Sequence, residues 1–249
     1  MKRQYSSSKW KKTKALLKKK SPVARYVPRT ERFSPRRLSR MLSRYGMVYI
    51  KPEHGSYGIG VMRAIKKKHA LARYRLKTNT AAYQFESKRR FKQAVTRSVG
   101  KKPYVIQRGI HMLKHRGGPF DLRIMVLLNQ KRKWVVPGIV ARSAKRGKIV
   151  TNGHQGAKSR MPEKLLRPYV GRKNIHRYMR RLRRIGVNTA REFRKTFSRV
   201  WELGLDVAVD QRLRPWILEV NMRPEAIPFA KLKDKRMYRR IMALRKLHR

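Results

Sequence analysis

Near its C-terminal end the chain carries two apolar runs on either side of a short polar turn. The runs cover residues 205–210 and 216–221, and the turn covers residues 211–215. Two runs of this length around a short turn predict a β-hairpin. Successive side chains of a strand point to opposite faces, so Glu219 and Asn221 are predicted to share one face of the hairpin.

Periodic patterns predict helices and further strands along the rest of the chain. Ser34 precedes a proline and an apolar stripe that ends at Gly46, which indicates a helix. Thr189 and Glu192 form a capping-box pattern for another helix, which is predicted to end at Gly204. Apolar or alternating runs predict strands at residues 47–52, 71–76, 104–107, 121–128 and 134–140.

A glycine-rich loop, residues 53–60, follows the first of these strands. Gly55, Gly58 and Gly60 would let backbone amides approach a phosphate closely, and Lys51 would add a positive charge. The loop lies between two predicted strands, unlike the strand-to-helix setting of a Walker loop. A flap-like phosphate loop and a plain hairpin turn therefore both remain open.

Acidic residues are concentrated around the predicted hairpin. Of the 12 Asp and Glu residues, five fall in this segment: Glu202, Asp206, Asp210, Glu219 and Glu225. Hard oxygen ligands that converge from adjacent strands are what a magnesium–phosphate site needs. If the strand is regular, Asp206 lies on the same side as Asp210. It is then either a further metal ligand or a cap of the polar end of the hairpin. A hairpin with ordinary surface carboxylates is the alternative.

The charge of the chain implies an anionic partner. With 69 Lys and Arg against 12 acidic residues, the formal net charge is +57. Such a chain repels itself unless it meets a polyanion, which leaves nucleic acid, an acidic polymer or an anionic surface. A hydrophobic content of 40% argues against disorder, and the absence of cysteine excludes disulfide and thiolate chemistry.

No apolar run approaches the ~20 residues that span a bilayer, and no secretory signal is visible, which predicts an intracellular protein. The first twenty residues contain nine Lys or Arg and no acid. This composition predicts a flexible basic arm over residues 1–21, which either tethers a polyanion or is simply solvated.

The order of these parts resembles the ATP-grasp superfamily, and more narrowly the YheC/YheD-like group associated with the coat of bacterial endospores. The closest motifs are YGMVYIKP at residues 45–52 and PFDLR at residues 119–123. The resemblance implies an α+β ATP-grasp fold, in which two subdomains grip a nucleotide. It implies a basic arm at 1–21, an ATP-grasp domain at 22–230 with a nucleotide-lid subdomain at 47–108 and a metal-binding catalytic subdomain at 109–230, and a basic helix at 231–249.

The resemblance also implies roles for single residues. Lys51 would contact nucleotide phosphate beneath the loop that contains Gly55, Ser56, Gly58 and Gly60. The adenine would be held by a hinge formed by Gln107, Arg108, Gly109 and Ile110. Arg123 and Arg142 would stabilise charge on the transferred γ-phosphate. Magnesium, or manganese in its place, would be held by Asp210, Glu219 and Asn221.

The function implied is an ATP-dependent carboxylate–amine ligase that acts through an acylphosphate. Its carboxylate is expected on an acidic polymer or acidic coat protein, because the basic segments 142–148 and 177–184 are predicted to flank the chemistry. The alternatives are a non-catalytic, polyanion-binding protein of the spore coat and a non-specific nucleic-acid binder. His154 is expected to be a hydrogen bonder of its loop. Deletion of residues 1–20 is expected to leave nucleotide binding intact.

Overall fold

The computed structural model describes residues 6–67, 71–144, 147 and 156–248. His154 and residues 145, 146 and 148 of the basic segment 142–148 lie outside the described residues. No helix in the described ranges is long and apolar enough to cross a membrane.

The described residues form seven α-helices and twelve strands. The helices are α1 (Lys9–Leu16), α2 (Pro35–Tyr45), α3 (Lys88–Val99), α4 (Pro162–Val170), α5 (Ile175–Arg194), α6 (Ile227–Ala230) and α7 (Arg236–Lys246). The strands are β1 (Thr30–Arg32), β2 (Met47–Pro52), β3 (Met62–Lys66), β4 (Tyr74–Lys77), β5 (Ala82–Phe85), β6 (Tyr104–Arg108), β7 (Lys114–His115), β8 (Gly118–Leu128), β9 (Trp134–Ser143), β10 (Lys158–Arg160), β11 (Glu202–Val209) and β12 (Pro215–Asn221).

The first sheet has the strand order β1-β6-β2-β3-β4-β5 and is antiparallel throughout. Helix α2 begins and ends as predicted, because Ser34 Oγ accepts the N–H of Arg37 and Gly46 adopts a φ of 69°. The apolar faces of α2 and α3 pack on the sheet in one core that includes Leu38, Leu42, Ile50, Phe91 and Ile106.

The second sheet has the order β10-β9-β8-β11-β12, with β7 paired to β8. Side chains of β8 alternate between two environments. Leu122 and Ile124 lie in the core that α5 covers, whereas Asp121 and Arg123 face a cleft on the other side. The predicted hairpin is confirmed as β11 and β12. One face of this sheet therefore carries the main core, whereas the other carries charge at Asp121 and Arg123 and a smaller apolar cluster that includes Met125 and Leu127.

The predicted flexible arm is wrong for residues 6–17. Ser8 caps α1 by accepting the N–H of Lys11 at 3.1 Å, and Ala15 and Leu16 are both 2% exposed. Helix α1 contacts α5, β1 and β12. The prediction rested on charge density, but several of the lysines face solvent while a short apolar face docks on the core.

The predicted capping box at Thr189 and Glu192 is also wrong. Both residues lie inside α5, a single helix of 20 residues. The hydroxyl of Thr189 donates to the carbonyl oxygen of Ile185 at 2.7 Å, so it is bonded within the helix and does not cap a new one. The chain leaves the helix after Arg194 and enters β11 at Glu202.

Candidate active site

A cleft of 370 Å³ lies between the two sheets and is lined by charged side chains from both. Its lining cations are Lys9, Lys51, Arg108, Arg123, Arg142, Arg223 and Lys231, and its lining carboxylates are Asp121, Asp206, Glu219 and Glu225. Seven cations against four carboxylates leave three positive charges in excess. A cleft with this balance favours a ligand that carries several negative charges.

Three charged side chains form a row across the second sheet. Arg123 on β8 lies opposite Asp206 on β11, which in turn lies opposite Glu219 on β12. Directly opposed residues of antiparallel strands have neighbouring side chains on one face. Arg123 Nε donates to Asp206 Oδ1 at 2.6 Å. Asn221, two residues beyond Glu219, also lines the cleft.

Arg142 is held by two carboxylates. Its Nε and Nη2 donate to the two oxygens of Asp121 at 2.8 and 2.5 Å, and Nη2 lies 3.0 Å from Asp206 Oδ1. Burial opposes the charge of Arg142, but Asp121 and Asp206 more than offset this and raise its pKa. Burial also opposes the charge of Asp206 and would raise its pKa, but Arg123 and Arg142 lower this pKa to about 2. Arg142 and Asp206 are therefore both charged at neutral pH.

Lys51 lies at the end of β2 on the opposite wall of the cleft. Its Nζ donates to Gln107 Oε1 at 2.7 Å, and Gln107 Nε2 donates to Thr30 Oγ1 at 3.0 Å. The Gln107 side chain is 4% exposed, so it fixes the direction of the lysine. Burial lowers the pKa of Lys51 to about 8. The charges of Glu219 and Asp206 oppose this shift, and the charge of Lys9 adds to it.

This lowered pKa predicts proton uptake when an anion binds. Near pH 8 about half of the Lys51 ammonium groups are deprotonated, and a neighbouring phosphate would restore the missing proton. We expect binding of Mg-ATP at pH 8 to take up about half a proton, measured by calorimetry in buffers of different ionisation enthalpy. The Lys51→Arg variant, which stays charged, should show no such uptake. Equal uptake in both proteins would assign the proton to another group.

The sign of the effect on stability follows from the same shift. The pKa of Lys51 falls from 10.5 to about 8 on folding. Between these pH values the unfolded chain holds a proton that the folded chain has released, so the contribution of Lys51 to stability rises with pH across this window.

The glycine-rich loop covers one side of the cleft. Ser56, Tyr57 and Gly58 line it, whereas Gly55 and Gly60 do not. The carbonyl oxygen of Gly55 accepts a hydrogen bond from Lys9 Nζ at 2.7 Å. Gly60 has a φ of 72°, and a Cβ there would lie 2.9 Å from a carbon of the Pro52 side chain. Of the predicted loop residues, Ser56 and Gly58 are thus placed towards a ligand, and Gly60 shapes the turn.

The predicted adenine hinge runs along the end of β6. The N–H groups of Arg108 and Gly109 already donate to the carbonyl oxygens of Arg29 and Met47, each at 2.8 Å. These two amides are therefore not free for a base as the hinge stands. Ile110 and its neighbours Met112 and Leu218 instead give the cleft an apolar wall. Such a wall suits the flat face of an adenine.

The structure does not bring Asp210 into the cleft, which corrects the predicted metal set. Asp210 Oδ1 accepts the N–H groups of Arg212 and Arg214 at 2.9 Å each, and Oδ2 accepts Trp216 Nε1 at 2.8 Å. Its carboxylate therefore closes the hairpin turn. Asp206 holds the place beside Glu219 that the sequence analysis gave to Asp210.

Helix α1 contributes two lysines that sequence reasoning missed. Lys12 Nζ lies 3.4 Å from Glu219 Oε1, and Lys9 lines the cleft. Burial lowers the pKa of Lys9, with Glu219 opposing the shift and Lys12 adding to it. Ser8 Oγ donates to Glu53 Oε1 at 2.5 Å, which ties the helix to the start of the glycine-rich loop. No sequence motif marks these residues, because the contact joins distant parts of the chain.

The basic segment 177–184 does not flank the cleft. It lies within α5, whose buried side chains pack on the core face of β8. The charged side chains of β8 point to the opposite face. The prediction that this segment surrounds the chemistry is therefore wrong.

The fold and site can now be compared with known proteins. A sequence model described as YheC/D-like ATP-grasp matches residues 3–245. The chain belongs to this family. The endospore coat-associated protein YheD of Bacillus subtilis (strain 168) is 23% identical over 214 residues, which cover 84% of this chain and 46% of that protein. The chain thus spans about half the length of this curated relative.

Solved structures share the ATP-grasp architecture. D-cycloserine synthetase DcsG has a TM-score of 0.58 at 11% identity, covering 95% of this chain and 69% of its own. The ADP complex of PurK, an N5-carboxyaminoimidazole ribonucleotide synthetase, has a TM-score of 0.54 at 10% identity, covering 96% of this chain and 51% of its own. These likenesses confirm the predicted α+β ATP-grasp fold.

The oxygen donors in the ATP-grasp cleft fit a magnesium ion. Both arginine contacts to Asp206 involve Oδ1, and the Lys12 contact to Glu219 involves Oε1, so each carboxylate keeps its second oxygen for a metal. Among the described residues no three His, Cys, Asp or Glu side chains converge to form a metal site. Two carboxylates with the Asn221 amide match the way magnesium binds, since substrate phosphates and water complete its coordination. Manganese accepts the same ligands.

Proposed function

We propose that the chain is an ATP-dependent carboxylate–amine ligase that works through an acylphosphate. The observation that carries the proposal is the row of Arg123, Asp206 and Glu219 on one face of the second sheet, opposite Lys51 on the first. Metal ligands, cations for phosphate and a loop above them meet in one cleft. Phosphoryl transfer requires little else from a protein, because it depends on positioning and charge neutralisation.

In the proposed reaction, an oxygen of the substrate carboxylate attacks the γ-phosphorus of ATP. The bond from that phosphorus to the bridging oxygen breaks, and ADP leaves. The nitrogen of an amine then attacks the acyl carbon, inorganic phosphate leaves, and the nitrogen gives up a proton as the amide forms. The acylphosphate carries its own leaving group, so no side chain needs to become covalently bound.

Each residue has one task in this scheme. Lys51, fixed by Gln107, would bind a phosphate, and Arg123 and Arg142 would stabilise charge on the transferred group. Their ion pairs with Asp121 and Asp206 hold the two guanidinium groups in position before ATP arrives. Asp206, Glu219 and Asn221 would hold magnesium, which neutralises phosphate charge when bound.

The substrate we propose is a carboxylate on an acidic polymer or acidic protein. A small anion does not require a net charge of +57, whereas an extended polyanion would be concentrated around such a chain. Association with the spore coat is the setting we propose, on the strength of the endospore coat-associated relative YheD.

ADP release tests this proposal. We expect Mg-ATP turnover to require an added carboxylate and amine, and to be at least about tenfold faster at low salt with an acidic polypeptide than with free glutamate or aspartate. Moderate salt should remove most of that difference, because it screens the attraction. Equal, salt-insensitive turnover on both would contradict the polymeric substrate.

A non-catalytic coat protein that binds polyanions is the second candidate. The net charge and the coat-associated relative favour it. Calorimetry separates the two, because a folded protein without affinity for Mg-ATP would rule out the ligase and leave the scaffold.

A further inference from the structure

A second recess lies on the far side of the molecule from the cleft. It has a volume of 720 Å³ and is formed by α5 and by the turn between β11 and β12. It shares no lining residue with the cleft. Its five charged side chains are all arginines: Arg177, Arg180, Arg181, Arg184 and Arg212.

These arginines have no acidic partner within the part of the chain that the structure describes. No carboxylate lines the recess, and the nearby Asp210 is engaged by backbone N–H groups and Trp216. Five like charges at one recess repel each other and destabilise the folded chain unless an anion neutralises them. The recess is therefore built for an anionic ligand that the chain itself does not supply.

The floor of the recess orients one of the guanidinium groups. The guanidinium carbon of Arg181 lies 6.0 Å from the ring centres of both Tyr26 and Tyr178. Tyr178 is 7% exposed, and its hydroxyl donates to the carbonyl oxygen of Leu213 at 3.0 Å. Arg181 thus lies within cation–π distance of two rings, of which Tyr178 is fixed, and this contact lowers the entropy lost when the arginine binds a ligand.

The spacing of the arginines fits a chain of phosphates. Arg177, Arg181 and Arg184 recur on one face of α5 and span about 10 Å along the helix axis. Phosphates of one DNA strand follow each other about every 3.4 Å along the duplex axis, so about three of them fit this length. The guanidinium fork also matches two oxygens of a phosphate, which the ammonium of lysine cannot do.

We propose that this arginine recess binds the phosphate backbone of nucleic acid, without reading its sequence. The site is independent of the proposed ligase, because it lies on the opposite face of the second sheet. The chain would therefore hold a nucleic acid on one face while the cleft stays open on the other.

Binding of labelled DNA to the full chain tests the proposal. The probes are a fluorescent 20-nucleotide oligo-dT and a 20-base-pair duplex, and anisotropy is followed across a salt series. The recess variant carries Arg177→Gln, Arg181→Gln and Arg184→Gln. The matched control carries Arg89→Gln, Arg90→Gln and Arg97→Gln, three exposed arginines on or beside the solvent side of α3.

We expect the recess variant to bind DNA at least about tenfold more weakly and to lose about two to three units of salt slope, because each phosphate contact contributes ~0.7–0.9 units. The control should change affinity less than about threefold, since only diffuse charge is removed. Equal losses in both variants would overturn the proposal, because three of 69 cations would then act only through total charge.

A second variant and two further measurements complete the test of this proposal. If the triple variant does not fold, the double variant Arg177→Gln and Arg184→Gln replaces it. This variant keeps the contacts of Arg181 with the two tyrosine rings and should still weaken DNA binding several-fold. Polyglutamate that competes with DNA more strongly than an unlabelled oligonucleotide of equal charge would overturn nucleic acid in favour of an acidic polypeptide. Mg-ATP affinity of the recess variant should equal that of the unmodified chain, and its loss would overturn the independence of the two sites.

Discussion

Asp206→Asn should weaken the binding of Mg-ATP at least about 30-fold, or roughly 2 kcal/mol. The substitution keeps the shape of the side chain but removes one of the two anionic metal ligands that we propose. It also leaves Arg123 and Arg142 with less negative charge between them, and Arg142 is 6% exposed. Calorimetry with ATP in the presence of magnesium measures the loss of the metal ligand, and calorimetry without magnesium measures the effect of the lost charge beside the two arginines.

Asp210→Asn is the matched control for this experiment. Its amide oxygen can still accept the N–H groups of Arg212 and Arg214, while the bond from Trp216 Nε1 is lost. We expect it to cost about 1–3 kcal/mol of unfolding free energy and to leave the affinity for Mg-ATP within about threefold. If Asp210→Asn removed magnesium dependence and Asp206→Asn did not, the metal set proposed from the structure would be wrong.

Deletion of residues 1–17 should destabilise the protein by about 3–5 kcal/mol, because it removes a buried leucine and leaves a cavity. It also removes the Ser8 partner of Glu53, which is 6% exposed, and the Lys12 partner of Glu219. We therefore expect the deletion to weaken Mg-ATP binding as well, contrary to the expectation that the segment is dispensable for nucleotide binding. Urea denaturation measures the loss of stability, and calorimetry measures the loss of affinity for Mg-ATP.

Point variants separate packing from charge in this helix. Leu16→Ala should lower the free energy of unfolding by about 2–4 kcal/mol, since Leu16 is 2% exposed. Lys11→Ala, at an exposed position, should change it by less than about 0.5 kcal/mol. Lys9→Met should keep the stability but weaken ATP binding several-fold. A deletion variant as stable as the full chain would show that α1 does not contribute to the stability of the fold.

Local patterns predicted the elements that bury an apolar face. Helix α2 has its cap at Ser34 and its end at Gly46, and the hairpin of β11 and β12 follows from two apolar runs around a short polar turn. The choice between Asp206 and Asp210 could not be made in this way. It depends on the register between β11 and β12, which shifts just after Asp206, and on which carboxylate the turn amides capture.

Long-range contacts explain what the sequence could not predict. Lys12 and Glu219 are 207 residues apart along the chain, and Ser8 and Glu53 are 45 residues apart. In a chain with 69 cations, no pattern distinguishes a lysine that enters a site from one that is solvated. The motifs therefore predicted where the cleft lies, but long-range contacts in the folded chain determine which charged side chains line it.

The anchoring of the glycine-rich loop determines where a ligand enters and leaves. Its base is fixed to α1 through Glu53 and Gly55, whereas Tyr57 reaches across the cleft and donates to Glu225 at 3.1 Å. That crossing bond is exposed to solvent. The tip is held at a second point as well, because Asn79 Nδ2 donates to the carbonyl oxygen of Gly58 at 2.8 Å. A ligand beneath this loop would therefore be enclosed on that side, and its exchange would require the contacts at the tip to open while the base stays attached to α1.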